Sequence, residues 1–363
     1  MRMTATIARY LARHTLASLL LIVAILVTVG FVFDTLELLR RASKRPDVSP
    51  GIVFQMALLK LPDLAQQLLP FAVLFGAAFS FWRLSRNQEL VVVRGSGLSV
   101  WQFVLPATAV AIVVAVAKLG IVNPIAAVLH DRFERLESRL LEGRASRVDL
   151  AETGFWLRQT DALGSTVLHA RAVNPRSFEL ENVLVVFFNR ENIYTGRLDA
   201  ATAALDSGAW VVRNAWSNRP AQEPLFVERV RLPTDLSRAE IEESFAAPAS
   251  ISFFRMPQFI ETLENAGFPA VGLRLHFQSL LASPLLYGGL VLIAAAFSLG
   301  PPRRHAGWLA GGVVAAGFAL FFLQDMIETL GRSGTLPVTI AAWAPAMLVI
   351  LAGIVALLTL EDG

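Results

Sequence analysis

Six long apolar runs, each of the length needed to cross a lipid bilayer, constrain this chain more than any other feature. A bilayer core offers no water to backbone amides and carbonyls, so each run is expected to satisfy its own hydrogen bonds as a helix. The first, residues about 14–33, follows Arg2, Arg9 and Arg13, the charge arrangement of a signal peptide or a first anchor. It is longer than a signal-peptide core and no convincing small-x-small cleavage pattern follows it, so an uncleaved span is expected. The second runs from about Ile52 to Trp82 and is interrupted by Pro62 and Pro70, with Lys60 and Asp63 near its start. At about 1.5 Å per residue it exceeds the bilayer core and must tilt, kink or begin outside it. The third, Val100 to Val128, contains Pro106 and a lone Lys118; the last three are about Phe277–Leu299, Gly307–Met326 and Pro337–Leu360. A chain of 363 residues that is 55% hydrophobic, with mean hydropathy +0.55, is too apolar for an ordinary soluble enzyme.

Between the third and fourth spans the character changes. From Asp131 to Arg274 charges, Asn and Gly return and apolar residues come in short runs, which marks a water-exposed domain. Arg132-Phe-Glu-Arg-Leu-Glu-Ser-Arg-Leu-Leu141 reads as a helical exit from the membrane. After it the pattern is β, with strands expected at Gly154–Gln159, Thr166–Val173, Leu180–Asn189, Asn192–Leu198, Ala209–Trp216 and Leu225–Leu232, separated by turn signals. Strands at this spacing suggest a small sandwich or jelly roll. Alternation in the fifth puts Trp210, Val212 and Trp216 on one face and Arg213 on the other. Val183–Phe188 is apolar throughout, as in a strand covered on both faces by lipid or by the core of an ordinary sandwich. A helix from Pro257 to Asn265 leads back to the membrane. The division is then residues 1–130 with three spans, 131–274 with the β domain and 275–363 with three further spans.

A polar island, Arg83 to Gln102, separates the second and third spans. Ser85 stands three residues before Gln88 and Ser99 three before Gln102, the spacing of a capping box, so each reads as a helix start. Gly95 and Gly97 flank Ser96 and suit a helix end. A short helix from about Arg86 to Arg94 follows, with Leu90, Val93 and Gly97 on one face and Glu89 beside it; the three consecutive valines, Val91 to Val93, weigh against it. Such a helix has the shape of a docking element, and a merely polar membrane loop would have the same composition.

Short-loop cations orient the chain. With the N-terminus inside, the cytoplasmic segments hold Arg2, Arg9, Arg13, Arg83, Arg86, Arg94, Arg303 and Arg304, against Arg40, Arg41, Lys44, Arg45 and Arg332 in the short outer loops. The cluster Arg40-Arg-Ala-Ser-Lys-Arg45 is basic on the side where topology disfavours it. It suits phosphate head groups, or ordinary anionic lipid. Other chemistry is missing from the sequence. Cysteine is absent and no P-loop occurs. His14, His130, His169, His276 and His305 lack metal-ligand spacing. Lys60 and Lys118 are membrane cations of the kind that mark function or snorkel to an interface. No nucleophile, base and oxyanion-donor set can be assembled, and no intramembrane polar cluster of the sort a membrane enzyme needs is apparent.

Tyr10-Leu-Ala-Arg, Leu69-Pro-Phe-Ala-Val-Leu-Phe-Gly76, Ser85-Arg-Asn-Gln-Glu-Leu-Val-Val-Val-Arg-Gly-Ser-Gly-Leu-Ser99 and Ala341-Ala-Trp-Ala-Pro345 resemble the lipopolysaccharide-export permeases LptF and LptG over essentially the full chain. Phe33-Asp-Thr-Leu-Glu-Leu-Leu-Arg-Arg41 looks more like the LptG branch. The resemblance implies an integral membrane α-helical fold of three plus three spans around a periplasmic β-jelly-roll-like domain. It implies an ABC transporter permease half in the bacterial inner membrane, with cytoplasmic termini, that helps extract lipopolysaccharide. The implied partners are an LptF-like permease, an LptB-like ATPase dimer and an LptC-like bridge protein. ATP and Mg would sit on the ATPase and no cofactor on this chain. By the same resemblance the island is the coupling helix, with Glu89 engaging the ATPase, and Leu90, Val93 and Arg94 complete that surface. Arg40 and Arg41 match residues that help bind lipopolysaccharide phosphates, with Lys44 and Arg45 beside them. Some relatives carry a lysine near Asp34, so the acid here departs from the pattern. The sister subunit LptF, or a non-transporting anchor that presents a β domain, are the rival readings.

Overall fold

The computed structural model describes residues 5–44, 48–89, 99–137, 140, 147–151, 154–160, 164–173, 179–191, 193–206, 208–220, 222–234, 250–265, 270–298 and 306–361. The chain divides into two compact units, residues 1–133 with 274–363 and residues 134–273.

The first unit is a helical bundle. Its elements are α1 (Ala5–Ala42), α2 (Pro50–Arg86), α3 (Val100–Ala117), a π-helical turn (Lys118–Val122) that continues into α4 (Asn123–Glu137), and then α6 (Val271–Ser298), α7 (Ala306–Arg332) and α8 (Val338–Glu361). Six candidate membrane spans are present among the described residues, as the apolar runs require. The helices extend past the apolar runs at several ends, because a helix ends where its backbone is capped rather than where hydropathy falls. Ser99 shows this directly. It caps α3 with extended dihedrals, and its Oγ accepts the Gln102 amide at 3.5 Å, the capping expected there.

Helices pack in this unit through small side chains. Ala77, Ala78, Ala107, Ala111, Ala294 and Ala295 are all buried in one core with Phe81, Tyr287 and Leu290. Lipid tails are as apolar as leucine, so close van der Waals contact between helices, rather than exclusion of water, holds such a bundle. The antiparallel seam of α1 on α2 is the clearest case. A Cβ on Gly76 would stand 2.8 Å from Leu19 Cα, and one on Gly30 would stand 3.2 Å from Leu64 and Leu68. Phe31 and Phe54 meet edge-on nearby at 5.9 Å.

The second unit holds β1 (Arg147–Ala151), β2 (Gly154–Thr160), β3 (Gly164–Val173), β4 (Glu179–Asn189), β5 (Tyr194–Asp206), β6 (Ala209–Asn218), β7 (Leu225–Pro233) and α5 (Met256–Asn265). The strands form one antiparallel sheet in sequence order. The sheet curls, because the rings of Phe155 on β2 and Trp210 on β6 lie 6.3 Å apart and Gln159 of β2 donates to Thr234 just beyond β7. The curl encloses a trough of about 840 Å³ whose apolar lining includes Phe187, Leu198, Leu225, Val227, Val230 and Leu232.

Three details differ from the sequence pattern. Strand β5 extends to Asp206 rather than ending at Leu198. Its Ala-rich second half has weak β propensity, but it pairs on both sides, with Glu179–Glu181 and with Ala209–Arg213. Trp216 is 51% exposed and packs edge-on against Phe226 outside the sheet, whereas Trp210 and Val212 are buried inside. Asn214 lies between them at φ +53°, and Ala215 beyond it is buried where Trp216 is not, although the pairing register with β5 and β7 is the same on either side. Asn182 takes φ +51° in β4, again with the register unchanged on either side, and the register shift of that strand falls at Phe187/Phe188. Third, only alternate members of Val183–Phe188 are enclosed. Val183 and Val185 are fully buried, while Leu184 and Val186 on the other face are half-buried.

The seam makes a testable prediction. Gly76→Ala should destabilise the chain in detergent by about 1–3 kcal/mol through overpacking. Gly311→Ala, with nothing within 4 Å of the new methyl, should change stability by less than about 1 kcal/mol. Thermal unfolding of the two variants checks this, and equal melting temperatures would contradict the close approach.

Candidate functional site

Polar side chains gather at the two ends of the α1–α2 seam. At the end that holds the chain's N-terminus, α2 closes at Arg86. Asn87 caps it, and its amide bonds to the carbonyl of Arg83. Ser85 therefore lies inside the last turn of α2 and does not start a helix: its carbonyl accepts the Gln88 amide at 3.1 Å. Gln88 then takes φ +63°, which no helix interior accepts. The expected helix therefore does not begin at Arg86, which belongs to α2, because the break falls at Gln88. Leu90, Val93 and Arg94, together with Gly95 and Gly97, lie outside the described residues.

The reversal at Gln88 turns Glu89 back toward the bundle. Tyr10 of α1 donates its hydroxyl to Glu89 Oε2 at 2.8 Å, and the Asn87 side-chain amide donates to Oε1 at 3.3 Å. Both carboxylate oxygens are thereby held, one by α1 and one by the cap of α2. Beneath them lies a cavity of about 310 Å³ with an apolar lining that includes Ile7, Leu11, Leu84 and Phe103. One turn further in, the rings of Tyr10 and His14 lie 6.2 Å apart. His14 Nδ1 meets Ser80 Oγ at 2.9 Å, and Ser80 Oγ also meets Thr15 Oγ1 at 3.3 Å.

The other end of α1 carries the basic cluster. Arg40 and Arg41 both bond Glu37, at 2.7 and 3.0 Å, and all three side chains are well exposed. Lys44 is exposed and Arg45 lies outside the described residues. Such exposed pairs exchange readily with water and with other anions.

Between these ends the structure assembles a polar group that sequence reasoning missed. Lys60 of α2 pairs with Asp34 of α1 at 2.6 Å and lies 5.6 Å from the Phe133 ring. Asp63, one helical turn on and buried, accepts from Gln67 at 2.9 Å and faces His130 Nδ1 at 3.5 Å. Asn123, at the junction after the π-helical turn, donates to Gln66 at 3.3 Å. Lys118 lies 5.7 Å from the centroid of the buried Tyr287 ring. A polar cluster therefore joins α1, α2 and α4 within the helical unit, and Lys60 is paired with Asp34 in it. The only hint in sequence was the i, i+3 spacing of Lys60 and Asp63; the partners are distant in the chain and visible only once α1, α2 and α4 are packed. No group of three metal-ligating side chains occurs among the described residues.

Two sets of three apolar helices with an antiparallel β domain inserted between them define a polytopic membrane protein of the permease kind. The chain belongs to the LptF/LptG family: the model described as lipopolysaccharide export system permease LptF/LptG matches residues 9–359. It is 20% identical over 355 residues to the lipopolysaccharide export system permease protein LptG of Haemophilus influenzae, covering 95% of this chain and 96% of that protein. It is likewise 20% identical to LptG of Escherichia coli K12, covering 93% and 94%. LptF of Escherichia coli K12 is 32% identical over 117 residues, about a third of either chain. The relatives are named as permeases, and both the LptG and the LptF names occur among them.

The Asp34–Lys60 pair is open to a direct test. Side chains 19% and 29% exposed are sheltered enough that removing one leaves the other partly buried and unpaired. Asp34→Asn and Lys60→Met should each destabilise the chain by about 1–3 kcal/mol, and the double variant should cost less than the sum. Additive losses in detergent unfolding would mean that the two groups do not interact.

Proposed function

We propose that this chain is the LptG-like half of an ABC transporter permease that extracts lipopolysaccharide from the bacterial inner membrane and drives it toward the outer membrane. Its termini are cytoplasmic and its β domain periplasmic. It pairs with an LptF-like permease, sits on a dimer of an LptB-like ATPase and works with an LptC-like bridge protein. ATP and Mg act on the ATPase, and this chain makes and breaks no covalent bond.

The observation that carries the reading is Glu89. It stands immediately beyond the cap of α2 and ten residues before the cap of α3. A push on this position from a partner would reach both spans as a rigid-body displacement. Leu90, Val93 and Arg94 complete the coupling surface in this reading. Arg40, Arg41, Lys44 and Arg45 would meet the phosphates of the lipid head group, exchanging the exposed Glu37 pairs for phosphate oxygens. The trough of the β domain has a mixed lining, with Arg197, Arg219 and Glu223 beside Phe187, Leu198 and the apolar residues of β7, and its apolar side has room for an acyl chain. The relatives matched along nearly their whole length are named LptG, which favours that half of the pair.

Copurification with an LptB-like ATPase tests the reading, with the sister permease coexpressed. Glu89→Ala and Glu89→Gln should weaken retention of the ATPase by about tenfold, the scale of one lost hydrogen bond to a charged group. An ATPase that never associates, or that ignores residue 89 in both assembly and lipid-stimulated hydrolysis, would leave the anchor reading in possession. Separately, Arg40→Gln with Arg41→Gln should reduce retention of a bis-phosphorylated lipid while leaving a neutral phospholipid unaffected. Equal loss of both lipids would assign the cluster to general membrane anchoring.

A further inference from the structure

We propose that Tyr10 is a positioning residue that ties Glu89 to the first span, so that displacement of Glu89 moves α1 as well as α2 and α3. The proposal rests on the reading of Glu89 as the ATPase-coupling carboxylate and adds to it the route by which motion reaches the far end of α1.

Three observations carry it. The Tyr10 hydroxyl bonds Glu89 Oε2 at 2.8 Å, 79 residues away in the chain, while Asn87 holds the other oxygen. Nothing in the local sequence demands that contact; Gln88, in its left-handed conformation, aims the carboxylate at α1. Next, Tyr10 is itself seated on α1's attachment to α2: it stacks toward His14, and His14 and Thr15 both meet Ser80. Beyond these, Leu19 lies against Gly76 so closely that even a methyl would collide. Motion delivered at Glu89 therefore enters α1 through Tyr10, at the end of a seam already in contact.

The third observation is stiffness. α1 runs from Ala5 to Ala42 with no proline, whereas α2 contains Pro62 and Pro70, and α3 contains Pro106 and leads into the π-helical turn at Lys118–Val122. Proline and π turns interrupt the hydrogen-bond ladder and are where helices bend. α1 is the unbroken rod of the three, about 57 Å long at 1.5 Å per residue. A displacement at Tyr10 reappears at Glu37, Arg40 and Arg41 without being absorbed on the way. The carboxylate on one side of the membrane and the cationic cluster on the other thus sit at opposite ends of one lever.

The chain has no cysteine, so Leu39→Cys on α1 and Leu330→Cys on α7 are its only labelling sites, and the full complex is assembled with cysteine-free partner chains. Distances are read in lipid nanodiscs with and without trapped nucleotide, and release of lipopolysaccharide per ATP is measured on the same samples. Trapping should move the label distance in the otherwise unaltered complex. Tyr10→Phe, which removes only the hydroxyl, should suppress the movement and lower release per ATP by about tenfold. Glu89→Gln should do the same, and the double variant should be no worse than either single one. If Glu89→Gln suppresses movement and release while Tyr10→Phe changes neither, the tie through Tyr10 is wrong and the coupling role of Glu89 stands. If Glu89→Gln changes neither, the coupling reading fails and the lever with it. A complex whose labels do not move on trapping also overturns the lever, since α1 then carries no motion. Matching yield and elution of Tyr10→Phe exclude misfolding as the cause of a loss.

Discussion

The contact on which the rest of the helical unit depends is the close approach of α1 to α2 at Leu19 and Gly76. Glycine there lets two backbones meet without an intervening side chain, and in a bilayer such close packing is the main attraction between helices. Among the described residues, the polar contacts that join α1 to α2 and to the residues just beyond it lie along the same antiparallel line. Tyr10 meets Glu89, His14 and Thr15 meet Ser80, and Asp34 meets Lys60. A change in the register or separation of the seam would part all of these pairs together. The glycine contact is therefore what allows charged and polar groups to be spent in the middle of an apolar bundle.

Pairing decides whether such groups are tolerable. A lone lysine or aspartate held in hydrocarbon is costly, and Lys60 and Asp34 offset that cost only while their geometry is held. Asp63 depends in the same way on Gln67 and His130. The π-helical turn at Lys118–Val122 precedes Asn123, which reaches Gln66 on α2. One extra residue per turn rotates everything after it about the helix axis, and here that rotation brings the start of α4 onto the polar side of α2.

The sequence made the membrane spans legible because twenty apolar residues in a row have few other fates. It made most strands legible as well, and the cap at Ser99. Two of the features it hid share a cause. Ser85 carries the same capping spacing as Ser99, yet α2 runs through it, since no residue between Trp82 and Arg86 opposes a helix and the break waits for Gln88. Trp216 alternates with Trp210 on paper, yet Trp216 is exposed and Ala215 is buried, with Asn214 at φ +53° between the two tryptophans. A capping box or an alternation pattern states a local preference, and one residue at positive φ overrides it. The Tyr10–Glu89 and Asp34–Lys60 contacts were hidden for another reason: they join residues that only the seam brings together, and neither partner is unusual by itself.

The same physics explains why the exposed surface of the bundle says so little about neighbours. Leu20, Leu21, Ile25, Val29, Val32 and Phe33 lie open on α1, and Phe318, Phe321 and Phe322 on α7. In water an apolar surface of this extent would demand a partner. In a bilayer, lipid satisfies it fully, so exposure alone does not separate a lipid-facing helix from one that a second subunit covers. The discriminating features in a membrane are small residues and polar groups, and within α1 those are committed inward, to Gly76 at Leu19, to Ser80 at His14 and to Lys60 at Asp34. What remains outward along the apolar run is mostly aliphatic and aromatic, with Ala17, Ala24 and Thr28 between, and the Thr28 hydroxyl is satisfied within its own helix by the Ala24 carbonyl. Such a face can slide along a neighbour without breaking a hydrogen bond, which is the surface a moving helix needs.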